Sequence, residues 1–173
     1  MTFPLPSVPR PATAKPAPHS FLMEQGRWKL EGHWLLNREE ILVPIHGRLI
    51  VAWNAETWFN LVGKICLPAS SETPVPFQEA TLQYRGHFDP GHLGGSEHYS
   101  FMLQHSYLGK VEGEGRVLPN SIMQRFWILG DRENRTGVDH FCRIDSDHYH
   151  WSSSLLNSHT LVSTMEAQLE RQR

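Results

Sequence analysis

Residues 26–36 read Gly-Arg-Trp-Lys-Leu-Glu-Gly-His-Trp-Leu-Leu, a stretch that alternates with a period of two. The even positions hold only tryptophan, leucine and glycine, whereas the odd positions from Arg27 to His33 are all charged or titratable. Because successive side chains of a strand point to opposite faces, this pattern predicts a half-buried antiparallel strand. Trp28 and Trp34 on one face need more interior space than a small sandwich core provides. We therefore interpret the stretch as the first strand of a closed barrel.

The composition places the chain among single-domain proteins without an electrostatic footprint for nucleic acid. Its 173 residues can bury one sizeable core. Sixteen Lys and Arg residues oppose eighteen Asp and Glu residues, and these charges are scattered, which excludes a basic patch for DNA or RNA. Cys66 and Cys142 form no CxxC pair. They are expected to be small packing residues, with a single disulfide left open.

The N-terminal region differs in composition from the rest of the chain. Residues 1–20 contain six of the twelve prolines, so we predict a disordered tail over 1–20 and one barrel domain over 21–173. Phe21, Leu22 and Met23 are expected to cap one mouth of that barrel. No apolar run approaches the length of a membrane span and no secretory signal is visible, so a cytoplasmic location is the expectation.

The remaining chain reads as a succession of strands joined by short turns. The clearest alternation after the first strand is Lys110–Val117, where every even position is charged and every odd position is valine or glycine. The final segment, residues 159–172, fits a strand or a helix, and the preceding hairpins favour a strand. About nine or ten strands without an interior helix predict an all-β, up-and-down antiparallel barrel, with a sandwich as the alternative.

The opening Gly26-Arg27-Trp28, together with Arg171 near the end of the last strand, resembles the calycin superfamily of lipocalins, fatty-acid-binding proteins and nitrobindins. The resemblance implies a ligand inside the barrel and a cation–π contact between Arg171 and Trp28. The strand count is most similar to that of the nitrobindins, which bind haem through a histidine just before the closing segment. Here that segment reads Leu161-Val162-Ser163-Thr164, and the nearest histidine is His159. No cofactor is therefore assigned.

The predicted function is non-enzymatic binding of a small apolar or amphipathic ligand, such as a tetrapyrrole or a fatty acid, inside the barrel. His105 lies on the apolar parity of its strand and must find a partner if it is buried, with Tyr84, Tyr99, Tyr107 and Gln124 as candidates. The proposed ligand-binding residues are Trp28, Trp34, Tyr84, His105, Tyr107, Gln124, Trp151 and Arg171.

Two other functions stay open at this stage. A calycin-type enzyme or chromophore lyase needs an acid–base group in the barrel, for which His105, His140 and Glu166 are the candidates. A completely packed barrel would instead bind a protein partner through the Pro-rich tail. His148 and His150 project from one strand face like part of a metal site, but no third ligand is visible, so no metal is predicted.

Overall fold

The computed structural model describes residues 18–36, 41–54, 57–68, 78–91 and 96–173. Residues 1–17 of the predicted tail lie outside these ranges. In the described part of the chain no helix is long and apolar enough to cross a membrane. The strands are β1 (Gly26–Leu36), β2 (Ile41–Trp53), β3 (Trp58–Cys66), β4 (Glu79–Asp89), β5 (His98–His105), β6 (Gly109–Val117), β7 (Ser121–Ile128), β8 (Arg135–Arg143), β9 (His148–Asn157) and β10 (Thr160–Gln172).

The ten strands form one closed antiparallel barrel in which every strand pairs with its neighbours in sequence and β10 pairs with β1. The first strand, β1, closes the barrel because it pairs with both β10 and β2. Trp28 of β1 lies opposite Arg171 of β10 on one side and opposite Leu49 of β2 on the other. The predicted all-β up-and-down barrel is thereby confirmed, including the strand in place of a helix at the C-terminal end. Such closure leaves no sheet edge with unpaired backbone groups.

The interior of the barrel is built from aromatic rings that lie over glycines. Phe59 of β3 is opposite Gly86 of β4, and Tyr99 of β5 is opposite Gly115 of β6. A Cβ atom at either glycine would overlap the facing ring. The alternation of charge and glycine in β6 therefore has a packing cause, since its glycines leave room for rings that cross from β5.

Pro44 lies within β2 although proline cannot donate a ladder hydrogen bond. It pairs with His33 of β1, whereas the pairing of β2 with β3 begins only at His46, opposite Cys66. Pro44 thus occupies a part of β2 that is paired with β1 alone, which is where a strand tolerates proline.

One end of the barrel is closed by the segment that precedes β1. Phe21 is fully buried and its ring contacts Trp28, Phe141 and Tyr149 at centroid distances of 5.3, 5.0 and 5.7 Å. Leu22 is also buried, and its carbonyl accepts a hydrogen bond from Nε1 of Trp53 at 3.0 Å. The structure therefore places an apolar plug in this mouth of the barrel.

The two residues that precede Phe21 also pack against the barrel. His19 and Ser20 are both buried. Nδ1 of His19 lies 2.9 Å from the hydroxyl of Tyr149, and Nε2 of His19 lies 2.7 Å from the carbonyl oxygen of Leu118. Composition missed this contact because only the folded chain brings residue 149 next to residue 19.

The cation–π contact implied by the calycin resemblance is present at the same end. The guanidinium carbon of Arg171 lies 5.9 Å from the ring centroid of Trp28. Arg171 also donates to Oε2 of Glu24 at 2.9 Å and to the carbonyl of Gln25 at 3.1 Å. These contacts link β10 to the segment that precedes β1.

Candidate functional site

A cavity of about 110 Å³ lies inside the other half of the barrel, towards the end that carries the β5–β6 and β9–β10 turns. Its walls are mostly apolar side chains from seven strands, among them Trp34, Leu82, Leu103, Phe126, Leu155 and Met165. Tyr107 and Leu108 of the β5–β6 turn complete the rim, and Tyr107 is 45% exposed. A concave apolar chamber with a few polar groups is the usual form of a small-molecule site.

The floor of this chamber separates it from the packed half of the barrel. Leu82, Tyr84 and Trp151 line both the cavity and a void of only about 10 Å³ that lies towards the Phe21 plug. A void of this size holds at most about one water molecule. The interior is therefore packed at the plugged end and hollow at the other.

Asp139 supplies the one buried carboxylate among the described residues and is 2% exposed. It lies on β8 between Gly137 and Phe141, whose side of the strand faces inward. Gln124 Nε2 donates to Oδ2 of Asp139 at 2.7 Å, and Trp151 Nε1 donates to Oδ1 at 3.1 Å. The carboxylate is thus held at the cavity floor by neutral donors from β7 and β9.

Burial has the largest effect on the pKa of the Asp139 carboxyl group. It raises the pKa of the Asp139 carboxyl, and hydrogen bonds from Ser153, Gln124 and Trp151 act in the opposite direction. The raised pKa follows because the charged form loses its hydration while its neighbours carry no compensating positive charge. A buried carboxylate in this setting strongly favours a partner that brings a proton or a positive charge.

Two tyrosines extend the polar network across the barrel. The hydroxyl of Tyr99 donates to Oε1 of Gln124 at 2.7 Å, so Gln124 joins Tyr99 to Asp139. Tyr84 lines the cavity, and burial followed by the nearby Asp139 raises its pKa. Burial also raises the pKa of Tyr99 well above its usual value. Both phenols therefore remain neutral hydrogen-bonding groups at physiological pH.

His105 is 7% exposed and lines the cavity at the end of β5. Its Nδ1 accepts hydrogen bonds from the backbone N–H groups of Tyr107 and Leu108 at 3.0 and 3.1 Å. Burial lowers the pKa of the imidazole to about 4, so the ring is neutral at pH 7. Because Nδ1 is an acceptor, the proton of the neutral ring resides on Nε2, which makes His105 a donor on the side away from the turn.

The partners of His105 differ from the side chains expected from the sequence. The backbone of the following turn, not Tyr84, Tyr99 or Gln124, supplies its observed hydrogen bonds. The hydrogen bond that Tyr107 donates to Nδ1 of His105 comes from its backbone N–H, since β5 ends at His105 and Tyr107 belongs to the turn. The alternation of residues in β5 continues in the sequence past the end of the strand, because Tyr107 of the following turn again occupies an odd position.

The structure brings five of the eight proposed ligand-binding residues together around the cavity and leaves three elsewhere. The five are Trp34, Tyr84, His105, Tyr107 and Trp151. Gln124 lines only the small void beneath the floor. Trp28 and Arg171 lie at the plugged end, where Trp28 packs against Phe21.

Two polar residues of the cavity, Asp139 and Arg135, were not predicted from the sequence. Arg135 lines the rim, with its Nε and Nη2 donating to the Asp131 carboxylate at 2.9 and 3.2 Å. A signal for Asp139 was available. Phe141, a bulky apolar residue, shares its strand parity and marks that face as the interior.

The acid–base candidates do not converge on one point. His105 faces the cavity, whereas Glu166 is exposed and His140 lies on the parity of β8 opposite to Asp139. His148 and His150 are on the outer surface, where Nδ1 of His148 lies 2.8 Å from Asp145 and Nδ1 of His150 lies 3.1 Å from Gln168. Over the described ranges, no group of three His, Cys, Asp or Glu side chains has the spacing to hold a metal ion.

Comparison with known proteins identifies no family for this chain. No protein-family model matches the chain, and no curated protein matches it at a significant level.

Proposed function

We propose that the protein binds a small apolar or amphipathic ligand in the barrel cavity and performs no chemistry on it. The observation that carries the proposal is the cavity of about 110 Å³, whose apolar walls surround a few convergent polar groups. Tyr84, His105 and Asp139 offer donors and an acceptor that would orient the ligand. The calycin resemblance supports the same function, since binding inside the barrel is the common activity of that superfamily.

The volume supports a ligand smaller than those first expected. An apolar cavity of about 150 Å³ holds a benzene molecule, so the chamber suits a molecule with about one aromatic ring. A tetrapyrrole or a whole fatty acid would require displacement of the walls. The lyase alternative has less support, because His140 and Glu166 lie outside the chamber that contains His105.

Partner binding and location remain proposals on sequence grounds. The Pro-rich segment proposed to dock a protein partner covers residues 1–20, of which 1–17 lie outside the described ranges. Cys66 and Cys142 are both free thiols in the structure. This supports the proposed cytoplasmic location, since thiols stay reduced there.

A cavity-filling variant tests the binding function. Ser163 is buried and lines the cavity, whereas Thr164 follows it on the outer face of β10. Benzyl alcohol is titrated into each protein and binding is followed by saturation-transfer NMR. Binding is expected for the wild type and for the matched control Thr164→Phe, and is expected to be lost in Ser163→Phe. Equal binding by both variants, or no binding of benzyl alcohol by the wild type, would contradict the proposal.

A further inference from the structure

The floor of the cavity carries a buried carboxyl group, that of Asp139, for which the described residues supply no positive charge. The three side chains that hydrogen-bond Asp139, namely Gln124, Trp151 and Ser153, are all neutral. Among the described residues no Lys, Arg or His forms an ion pair with it. A buried charge without an opposite charge costs folding free energy, so its presence in a hollow part of the barrel calls for an explanation.

The nearest candidate for a counter-charge is already engaged. Arg135 lines the same cavity, but its guanidinium pairs with Asp131 through two hydrogen bonds and lies 3.6 Å from Glu133. Accordingly, Arg135 is not among the groups that influence the pKa of Asp139. The carboxyl group therefore faces the chamber without a paired cation from the part of the chain that the structure describes.

Aromatic side chains form much of the wall around this carboxylate. Trp34, Tyr84, Phe126 and Trp151 all line the chamber. The faces of such rings attract cations, most strongly where water is excluded. Carboxylate and aromatic walls thus favour the same kind of ligand, a cation with an apolar body.

We propose that the cavity takes an organic ammonium ion, a primary amine attached to about one aromatic ring, with its ammonium group directed at Asp139. The proposal rests on the binding function above and specifies the chemical class of the ligand. The amine supplies the missing positive charge, and its ring occupies the apolar part of the chamber. His105, neutral at pH 7, does not repel it.

Calorimetric titration with a matched pair of ligands tests this inference. Benzylamine and benzyl alcohol differ at one polar group, and benzylamine is protonated at neutral pH. At pH 7 the wild type is expected to bind benzylamine at least tenfold more tightly than benzyl alcohol. Equal affinities, or tighter binding of benzyl alcohol, would overturn the inference while leaving the binding function intact. Binding of neither ligand would contradict both.

A charge-removing variant identifies the residue responsible. Asp139→Asn keeps the shape of the side chain, and its unfolding by urea verifies that it folds. The preference for benzylamine is expected to disappear in this variant, with the affinity for benzyl alcohol changed less than threefold. A preference that persists in folded Asp139→Asn would show that Asp139 is not the recognition group.

The pH dependence supplies a measurement on the wild type alone. The preference for benzylamine is measured between pH 8 and pH 5.5 and is expected to fall as the pH is lowered, because protonation of Asp139 removes the attracting charge. The other titratable or charged groups that face this region are Tyr84, Tyr99, Tyr107, His105 and Arg135. The pKa of His105, at about 4, lies below this window. A preference for benzylamine that rises as the pH is lowered would count against Asp139 as the recognition group.

Discussion

The side-chain amide of Gln124 donates to Oδ2 of Asp139 at 2.7 Å, and this bond fixes which end of the amide faces each neighbour. Because Nε2 points at the carboxylate, Oε1 is left to accept from the hydroxyl of Tyr99 at 2.7 Å. One glutamine thus connects β5, β7 and β8 beneath the cavity. A polar layer held in this way fixes the position of the carboxylate that the chamber presents.

Removal of the connecting amide is expected to destabilise the protein. In Gln124→Leu both Asp139 and Tyr99 lose a buried partner, and the cost is roughly 1–3 kcal/mol in the free energy of unfolding, the usual range when a buried hydrogen-bonding group loses its partner. Urea unfolding provides the measurement. Met123→Leu, on the exposed face of the same strand, is the control and is expected to change stability by less than about 0.5 kcal/mol. A Gln124→Leu protein as stable as the control would show that the network contributes nothing.

His105 is expected to have separable structural and ligand-contacting roles. Its Nδ1 holds two backbone N–H groups of the β5–β6 turn, so His105→Ala leaves these without their acceptor and costs about 1–3 kcal/mol. His105→Asn places a carbonyl oxygen near the position of Nδ1 and is expected to recover most of that loss. Both variants lack the Nε2 donor.

Denaturant unfolding and benzyl alcohol titration of the two His105 variants distinguish these roles. Weak binding by a stable His105→Asn protein would identify the imidazole as a ligand contact. Wild-type affinity in that variant would show that His105 stabilises the turn and does not contact the ligand.

The protonation of His105 predicts a specific pH dependence of stability. Its pKa is about 4 in the folded protein against an ordinary value of 6.5, so the unfolded chain takes up the proton first as the pH falls. The stability associated with the neutral ring is complete above pH 6.5 and decreases from there towards pH 4. The lowered pKa of His19 acts in the same direction, whereas the raised pKa of Asp139 acts in the opposite one.

Comparison of the wild type with His105→Asn isolates this contribution. The free energy of unfolding of the wild type is expected to decline relative to the variant by up to roughly 3 kcal/mol between pH 7 and pH 4. Urea unfolding across that range provides the measurement. Parallel curves for the two proteins would exclude His105 as the source.

The contact between Phe59 and Gly86 is expected to be intolerant of a single methyl group. A Cβ at position 86 would overlap the ring of Phe59 and no other residue comes as close, so Gly86→Ala is expected to cost about 1–3 kcal/mol. The same change in a Phe59→Leu background is expected to cost less, because the shorter side chain leaves room. A double-mutant cycle measured by thermal unfolding gives the coupling, and additive effects would contradict the packing described here.

Closure of the plugged mouth is expected to contribute strongly to stability. Phe21 is fully buried against three aromatic rings, so Phe21→Ala is expected to cost about 3–5 kcal/mol in the free energy of unfolding. Met102→Ala, at an exposed position on β5, is the matched control. A cost below about 1 kcal/mol would mean that packing of the segment before β1 contributes little to the stability of the barrel.

The alternation of consecutive residues was sufficient to predict the strands and which of their faces point inward. The alternation of β1 around Trp28 and Trp34, and that of β6 around its glycines, is a property of consecutive residues, because side chains of a strand alternate whatever the strand packs against. The pair of Trp28 and Arg171 followed from a resemblance at the two ends of the chain. Both residues lie where strand closure brings the termini together.

The site was accessible to sequence reasoning only in part. Trp34, Tyr84 and His105 were identified as cavity residues because aromatic or polar groups on an inward parity attract attention. Asp139 was missed, since β8 is polar on both faces and only Phe141 indicates which face is inside. The sequence does not reveal that β5 ends at His105, or that the acceptor nitrogen of this histidine holds the start of the following turn.

The sequence alone determined that this chain is an antiparallel barrel, because the period-two pattern and the short turns leave few other arrangements. Only the tertiary structure decided which half of the barrel is hollow. Trp28 and Trp34 lie on the same face of the same strand, yet Phe21 packs against the first and the cavity adjoins the second. The reason is that strand tilt and stagger, together with the segment that folds into one mouth, set the space around each inward side chain, and these depend on contacts between residues far apart in the chain.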